Sequence, residues 1–157
     1  MGESRDPFSR PADTNVAKEA GAVLLADSSV TIELRGVCVQ VAGADPVTAI
    51  RGPARPEELA DPKAAFRILL CHYPQVVDLL APGAFQLVLA GHTHGGQICV
   101  PYPGGKVRLE HLGAPYWEGV YRRSPATLYV SRGLGTSFVP LRFLARPQAT
   151  ELILGRA

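Results

Sequence analysis

The chain is short of charge, of aromatic residues and of cysteine, and each shortage narrows what it can be. Charged residues are 19% of its 157 residues, and 16 Lys and Arg against 14 Asp and Glu leave a net charge of only +2. The basic residues are scattered and are chiefly arginine, so no basic stripe argues for nucleic acid or an anionic membrane surface. Three cysteines, Cys38, Cys71 and Cys99, are an odd number without any C-x-x-C spacing. That speaks against a disulfide framework or a zinc ribbon and points to reduced thiols. No stretch approaches the ~20 apolar residues of a membrane span, and Met1 to Asn15 lacks the apolar core of a signal peptide. The expected location is therefore the cytoplasm. No internal repeat or low-complexity tract is present.

What is present is an ordinary globular composition, 46% hydrophobic, in a length that suits one domain with a real core. Residues 1–22 read as an irregular lead-in with Pro7 and Pro11, followed by a short helix that Asp13 can cap and that runs to about Ala20 before Gly21. Residues 23–157 read as the domain itself. Val23 to Leu25, Val30 to Leu34 and Val37 to Ala42 are expected strands, the last from its alternation of Val37, Val39 and Val41 with Cys38 and Gln40. Gly43 to Pro62, with four prolines, is an expected loop holding one helical turn from Glu57 to Ala60. Phe66 to Cys71 is a buried-strand run that stops at His72, and Tyr73-Pro74 opens an expected helix from about Gln75 to Leu80. Farther on, Pro101 to Gly105 reads as a loop, the segment around Tyr116, Trp117 and Tyr121 as a rim or as packing, and Leu128 to Val130 and Ala149 to Leu154 as strands.

Between these lies Leu87 to Gln97, Leu-Val-Leu-Ala-Gly-His-Thr-His-Gly-Gly-Gln. An apolar run of the buried-strand kind ends at Gly91 in a loop with two histidines two positions apart, His92 and His94. Neutral imidazole is the commonest protein ligand for divalent transition metals, which makes this a candidate metal site. His-x-His spacing alone is also met in solvated turns. Strand, helix, strand over Phe66 to Ala90 is a βαβ-like unit, and a right-handed crossover places both strand C-terminal ends on one edge. His72 and His92 are thus expected to meet there. Cys71 should face the core, which makes it a poor nucleophile partner for His72. Ser131 to Ser137 carries a G-x-G that could show backbone N–H groups to phosphate or simply turn the chain.

The strand followed by Gly91-His92-Thr93-His94-Gly95-Gly96-Gln97, with Cys71-His72-Tyr73-Pro74 before it and Ser131 to Ser137, Pro140 and Arg142 after it, resembles the calcineurin-like metallophosphoesterase superfamily, in one bacterial branch. The resemblance runs from about Val23 to Leu154 and corresponds to the C-terminal half of a family domain. It implies an α/β fold, the C-terminal half of a βαββα sandwich with a mixed sheet, and a centre of two divalent metal ions of Mn, Fe or Zn type. By residue-to-residue carry-over, His72 and His92 would serve one metal and His94 the other. The family's remaining motifs are missing: no Asp-x-His or Gly-Asp occurs, and the only asparagine, Asn15, sits in no Gly-Asn-His. His111 matches no motif.

Two functional readings follow. In the first the chain is the C-terminal segment of a metal-dependent phosphoesterase that cleaves phosphomonoesters or phosphodiesters when the first half is supplied, for instance by a partner chain, and it holds no catalytic residue beyond the metal histidines. In the second it is a non-catalytic remnant that binds one metal or a partner protein. Loss of the opening half is expected to leave central strands as unpaired edges and apolar surface exposed.

Overall fold

The computed structural model describes residues 19–51, 55–109, 112–122 and 125–155. Apart from its last two residues the expected helix from Asp13 to Ala20 lies outside them, and so does His111. A six-stranded mixed sheet forms the body of the chain. Its strands are β1 (Ser28–Leu34), β2 (Val37–Ala44), β3 (Phe66–Cys71), β4 (Leu87–Ala90), β7 (Gly119–Arg122) and β8 (Thr127–Val130), in the order β1-β2-β3-β4-β8-β7. A separate antiparallel hairpin is made by β5 (Cys99–Tyr102) and β6 (Gly105–Arg108). A short α-helix, α1 (Pro46–Arg51), and three 3-10 segments are also found among the described residues.

The four inner strands are mutually parallel, while β1 and β7 pair antiparallel at the two edges. Register aligns Ala42, Leu69, Val88 and Leu128 in one row across β2, β3, β4 and β8. All four point to the same face, because residues paired across a sheet share a face, and all are almost wholly buried. Ala44 and Cys71 on one side and Ala90 and Val130 on the other extend the row toward the strand ends. Val76, Val77, Leu80, Phe85 and Tyr116 cover this face and close the core. Burying side chains of this kind stabilises by about 1.5–3 kcal/mol each.

The opposite face is apolar and less covered. Val30, Ile32 and Leu34 on β1 and Leu70 on β3 lie on it and are exposed. Exposed apolar surface is thus found as expected, but unpaired central strands are not, since every inner strand has a neighbour on both sides.

Several local expectations are corrected. Val23 to Leu25 forms no strand; it crosses the end of β2, where Leu25 lies so close to Gly43 that a Cβ there would fall 2.5 Å from it. Gly43 and Ala44 belong to β2, and α1 follows within the expected loop. Asp27 fixes that helix start, its carboxylate accepting from the Asp45 N–H at 2.9 Å and the Thr48 hydroxyl at 2.7 Å. The expected helix after Tyr73 is a 3-10 segment, Pro74–Leu79, the tighter geometry that short connecting turns often adopt. Pro101 to Gly105, expected as a loop, is the tip of the β5–β6 hairpin: Pro101, Tyr102 and Gly105 are paired strand residues and Pro103-Gly104 make the turn. Ala149 to Leu154 carries no strand pairing; β8 already has β4 and β7 as neighbours, and Thr150 instead meets the Tyr129 hydroxyl.

Leu69 sits at the centre of the buried row with no exposed surface. Leu69→Ala is expected to lower unfolding free energy by about 2–5 kcal/mol, read from the urea midpoint, whereas Leu34→Ser on the exposed face should move it by less than about 0.5 kcal/mol.

Candidate functional site

Parallel strands deliver their C-terminal ends to one edge, and ligand sites in such sheets lie there. β3 ends at Cys71 and β4 at Ala90, so His72 and His92 leave neighbouring strands at the same level, tied by the Gly91 N–H donating to the His72 carbonyl at 3.2 Å. Their rings meet: His92 Nδ1 stands 3.1 Å from His72 Nε2. Tyr73 packs its ring edge-on to both, at centroid distances of 4.8 and 4.5 Å. A hydrogen bond between two imidazole nitrogens needs one donor and one acceptor, so at least one of the facing atoms carries a lone pair. An open cavity of about 510 Å³, bounded by Ala49, Tyr73, Val76, Leu79 and His92, adjoins the pair.

The loop after β4 is held in an unusual conformation. His92 (φ 71°), His94 (φ 49°) and Gln97 (φ 43°) all have left-handed backbone, which costs a non-glycine residue of order 1–3 kcal/mol and persists only where the surroundings enforce it. Gly95 and Gly96 share that region and also leave no room for a side chain. A Cβ on Gly95 would stand 2.6 Å from Arg132 Cγ, and one on Gly96 would stand 2.6 Å from Arg108 Cγ. Lys106 and Arg132 pair with Glu118 at 3.4 and 3.5 Å, and the Trp117 ring lies against Lys106 and Arg108. The aromatic segment therefore packs beneath the loop. Tyr116 is buried, with its hydroxyl donating to Asp78 at 2.6 Å.

Two side chains that sequence reasoning left without a role hold the loop from within. Gln97, fully buried, binds the backbone of Ser137 and Val139. Arg142 donates to the carbonyls of His94 (3.0 Å), Ala145 (3.1 Å), Arg132 (2.7 Å) and Gly135 (2.8 Å). Burial, and then the neighbouring Arg132 charge, lowers its pKa from the ordinary arginine value. Both residues stood in quoted motifs, but their hydrogen-bond partners could not be read from spacing. The Ser131 to Ser137 stretch serves this bracing: the Gly133 N–H donates to Ser131 Oγ and the Ser137 N–H to Gln97. Those two N–H groups are thus engaged within the chain.

His94 does not join the His72–His92 pair through a ring contact; its Nδ1 lies 3.0 Å from Gln97 Oε1. Among the described residues no group of three His, Cys, Asp or Glu side chains is placed to hold a metal ion. The facing nitrogens nevertheless suit one. Two histidine nitrogens bound at ~2.0–2.1 Å to a tetrahedral zinc ion stand roughly 3.3 Å apart, close to the 3.1 Å between His72 Nε2 and His92 Nδ1. The donors fit a divalent transition metal in kind and spacing, and fall short of a full site in number.

The comparisons agree with the motif reading. An uncharacterized metallophosphoesterase of Bacillus subtilis, YkuE, is 43% identical over 89 residues, which are 57% of this chain and 31% of YkuE. Phosphodiesterase YaeI of Escherichia coli is 34% identical over 93 residues, 56% of this chain and 32% of that one. A second Bacillus subtilis metallophosphoesterase, YkoQ, is 27% identical over 141 residues, 86% of this chain and 50% of its own length. Proteins named as metallophosphoesterases or a phosphodiesterase thus match 55–86% of the chain, which supports its likeness to the calcineurin-like metallophosphoesterase superfamily. It spans no more than about half the length of these relatives. No family model and no solved structure matches it. No helix among the described residues is long and apolar enough to cross a membrane.

Cys71 is no nucleophile here. It is buried in the core face, and burial is the main cause that pushes its thiol pKa up, with Asp27 and Asp45 adding to it. Burial is also the first cause of the raised Cys99 thiol. A thiol whose folded pKa lies above its unfolded value favours the fold below the unfolded pKa, and that contribution is lost as pH rises from there through the folded pKa. Stability is therefore expected to fall as pH climbs past the ordinary thiol value of about 8.5, with much less fall in the Cys71→Ala, Cys99→Ala double variant. Native iodoacetamide labelling should reach Cys38 first, and Cys71 and Cys99 only in denaturant.

Proposed function

We propose that the chain supplies histidine ligands to a metal-dependent phosphoesterase site, with His72 and His92 on one divalent ion, His94 on a second, and the remaining ligands from residues outside this chain. The observation that carries this reading is the pair of facing nitrogens at the ends of adjacent parallel strands. The names of the relatives support the reaction class. In such centres a metal pair lowers the pKa of a bound water, fixes the phosphate and stabilises leaving-group charge; Mn, Fe or Zn are the expected types.

In this reading the chain's own residues do three things. Tyr73 keeps the imidazoles of His72 and His92 in their mutual orientation by edge contacts with both. Gln97 and Arg142 hold the loop that carries His94. The cavity beside His92 leaves space for the organic part of a phosphate ester. No described residue provides an anion to bridge two metals together with these histidines. That same observation favours a second reading, a module that binds a metal or a partner protein without chemistry.

The purified chain alone should show no metal-stimulated cleavage of bis(4-nitrophenyl) phosphate. Mixed or fused with the part of YkuE that it does not match, it should gain activity, and His92→Ala should lower that activity by roughly 100-fold or more, beyond the ~10–100-fold typical of groups that only orient ligands. Turnover by the chain alone that disappears in His92→Ala would contradict an incomplete site. Stoichiometric metal binding with no turnover in the fused protein would favour the second reading.

A further inference from the structure

The hydrogen bonds of Gln97 fix more than the loop backbone. The side-chain amide is fully buried and uses its whole bonding capacity. Nε2 donates to the Ser137 carbonyl at 2.7 Å and the Val139 carbonyl at 3.2 Å, while Oε1 accepts the Ser137 N–H at 2.7 Å. Carbonyls only accept and a backbone N–H only donates, so these three partners determine which end of the amide is oxygen. The fourth contact then has one sense. Oε1 faces His94 Nδ1 at 3.0 Å, and an amide oxygen can only accept, so the imidazole must donate Nδ1–H.

We infer that Gln97 is a positioning residue that holds His94 in the Nδ1–H tautomer and thereby makes Nε2 the ring atom with the free lone pair. A ligand histidine binds through the nitrogen that its other hydrogen bond leaves unprotonated. The use of that lone pair for a metal rests on the function proposed above; the tautomer does not. The backbone supports the same orientation. The His94 carbonyl accepts from the Gln97 N–H at 3.2 Å and from Arg142 at 3.0 Å. The ring is thus fixed at one end by Gln97 and the main chain at the other by Gln97 and Arg142.

The test is two-bond 1H–15N correlation spectroscopy of the whole chain, at a pH above the ordinary imidazole range. His94→Asn assigns the ring signals among only four histidines. The wild-type pattern should be that of an Nδ1–H imidazole. Gln97→Met, close in volume but without an acceptor, should shift the tautomer ratio toward Nε2–H by roughly tenfold, about what one hydrogen bond sustains. Gln97→Glu retains the acceptor and should keep Nδ1–H. An Nε2–H pattern at His94 in the wild-type chain would overturn the inference, and that measurement needs no variant to fold. An unchanged tautomer in folded Gln97→Met would equally remove Gln97 as its cause. Titration with zinc ions separates the two claims: an Nδ1–H tautomer whose Nε2 signal zinc leaves unmoved sustains the Gln97 inference and counts against His94 as a metal ligand.

Discussion

The constraint on which the rest depends is the shared register of four parallel strands. Because Ala42, Leu69, Val88 and Leu128 lie in one buried row, β2, β3, β4 and β8 cannot slide past one another without turning core side chains to the other face. The ends of these strands are therefore level. His72 follows β3 directly, and Gly91 is all that separates β4 from His92, so register in the core sets the 3.1 Å spacing of two ring nitrogens at the rim. Packing energy in the sheet becomes positional precision at the site.

The loop after β4 is the second half of the arrangement, and it shows the opposite economy. Three non-glycine residues with left-handed backbone sit within six positions, a concentration of strain that local sequence preference would not choose. What offsets it is a set of part-buried polar contacts made at long range, by Gln97 to Ser137 and Val139 and by Arg142 to His94, between residues 40 or more positions apart in the chain. The Ser131 to Ser137 stretch and the segment around Phe143 are the frame against which the histidine loop is set. The strained loop is therefore held through Gln97, within it, by partners that come from a distant part of the sequence.

This division explains what could be read in advance. Phe66 to Cys71 and Leu87 to Ala90 have the bounds expected of them, because short apolar runs closed by histidine or glycine leave little ambiguity. The meeting of His72 and His92 followed from crossover geometry. Val23 to Leu25 and Ala149 to Leu154 are apolar enough for strands, yet neither pairs with a strand of the assembled sheet, and pairing is not a property of the local run. The hairpin Cys99–Arg108 was concealed by its two prolines, which sit at a turn and on a two-stranded ribbon where they are tolerated. The roles of Gln97 and Arg142 depend on partners distant in sequence, and no local pattern signals them.

The account stands on the claim that His72 and His92 are two ligands of one metal ion. Anomalous diffraction from crystals of the chain grown with zinc tests it directly. The expected result is a peak at about 2.0–2.1 Å from both His72 Nε2 and His92 Nδ1, displacing their mutual hydrogen bond and lost in His72→Ala. Saturating zinc that leaves this hydrogen bond intact and binds elsewhere would contradict it.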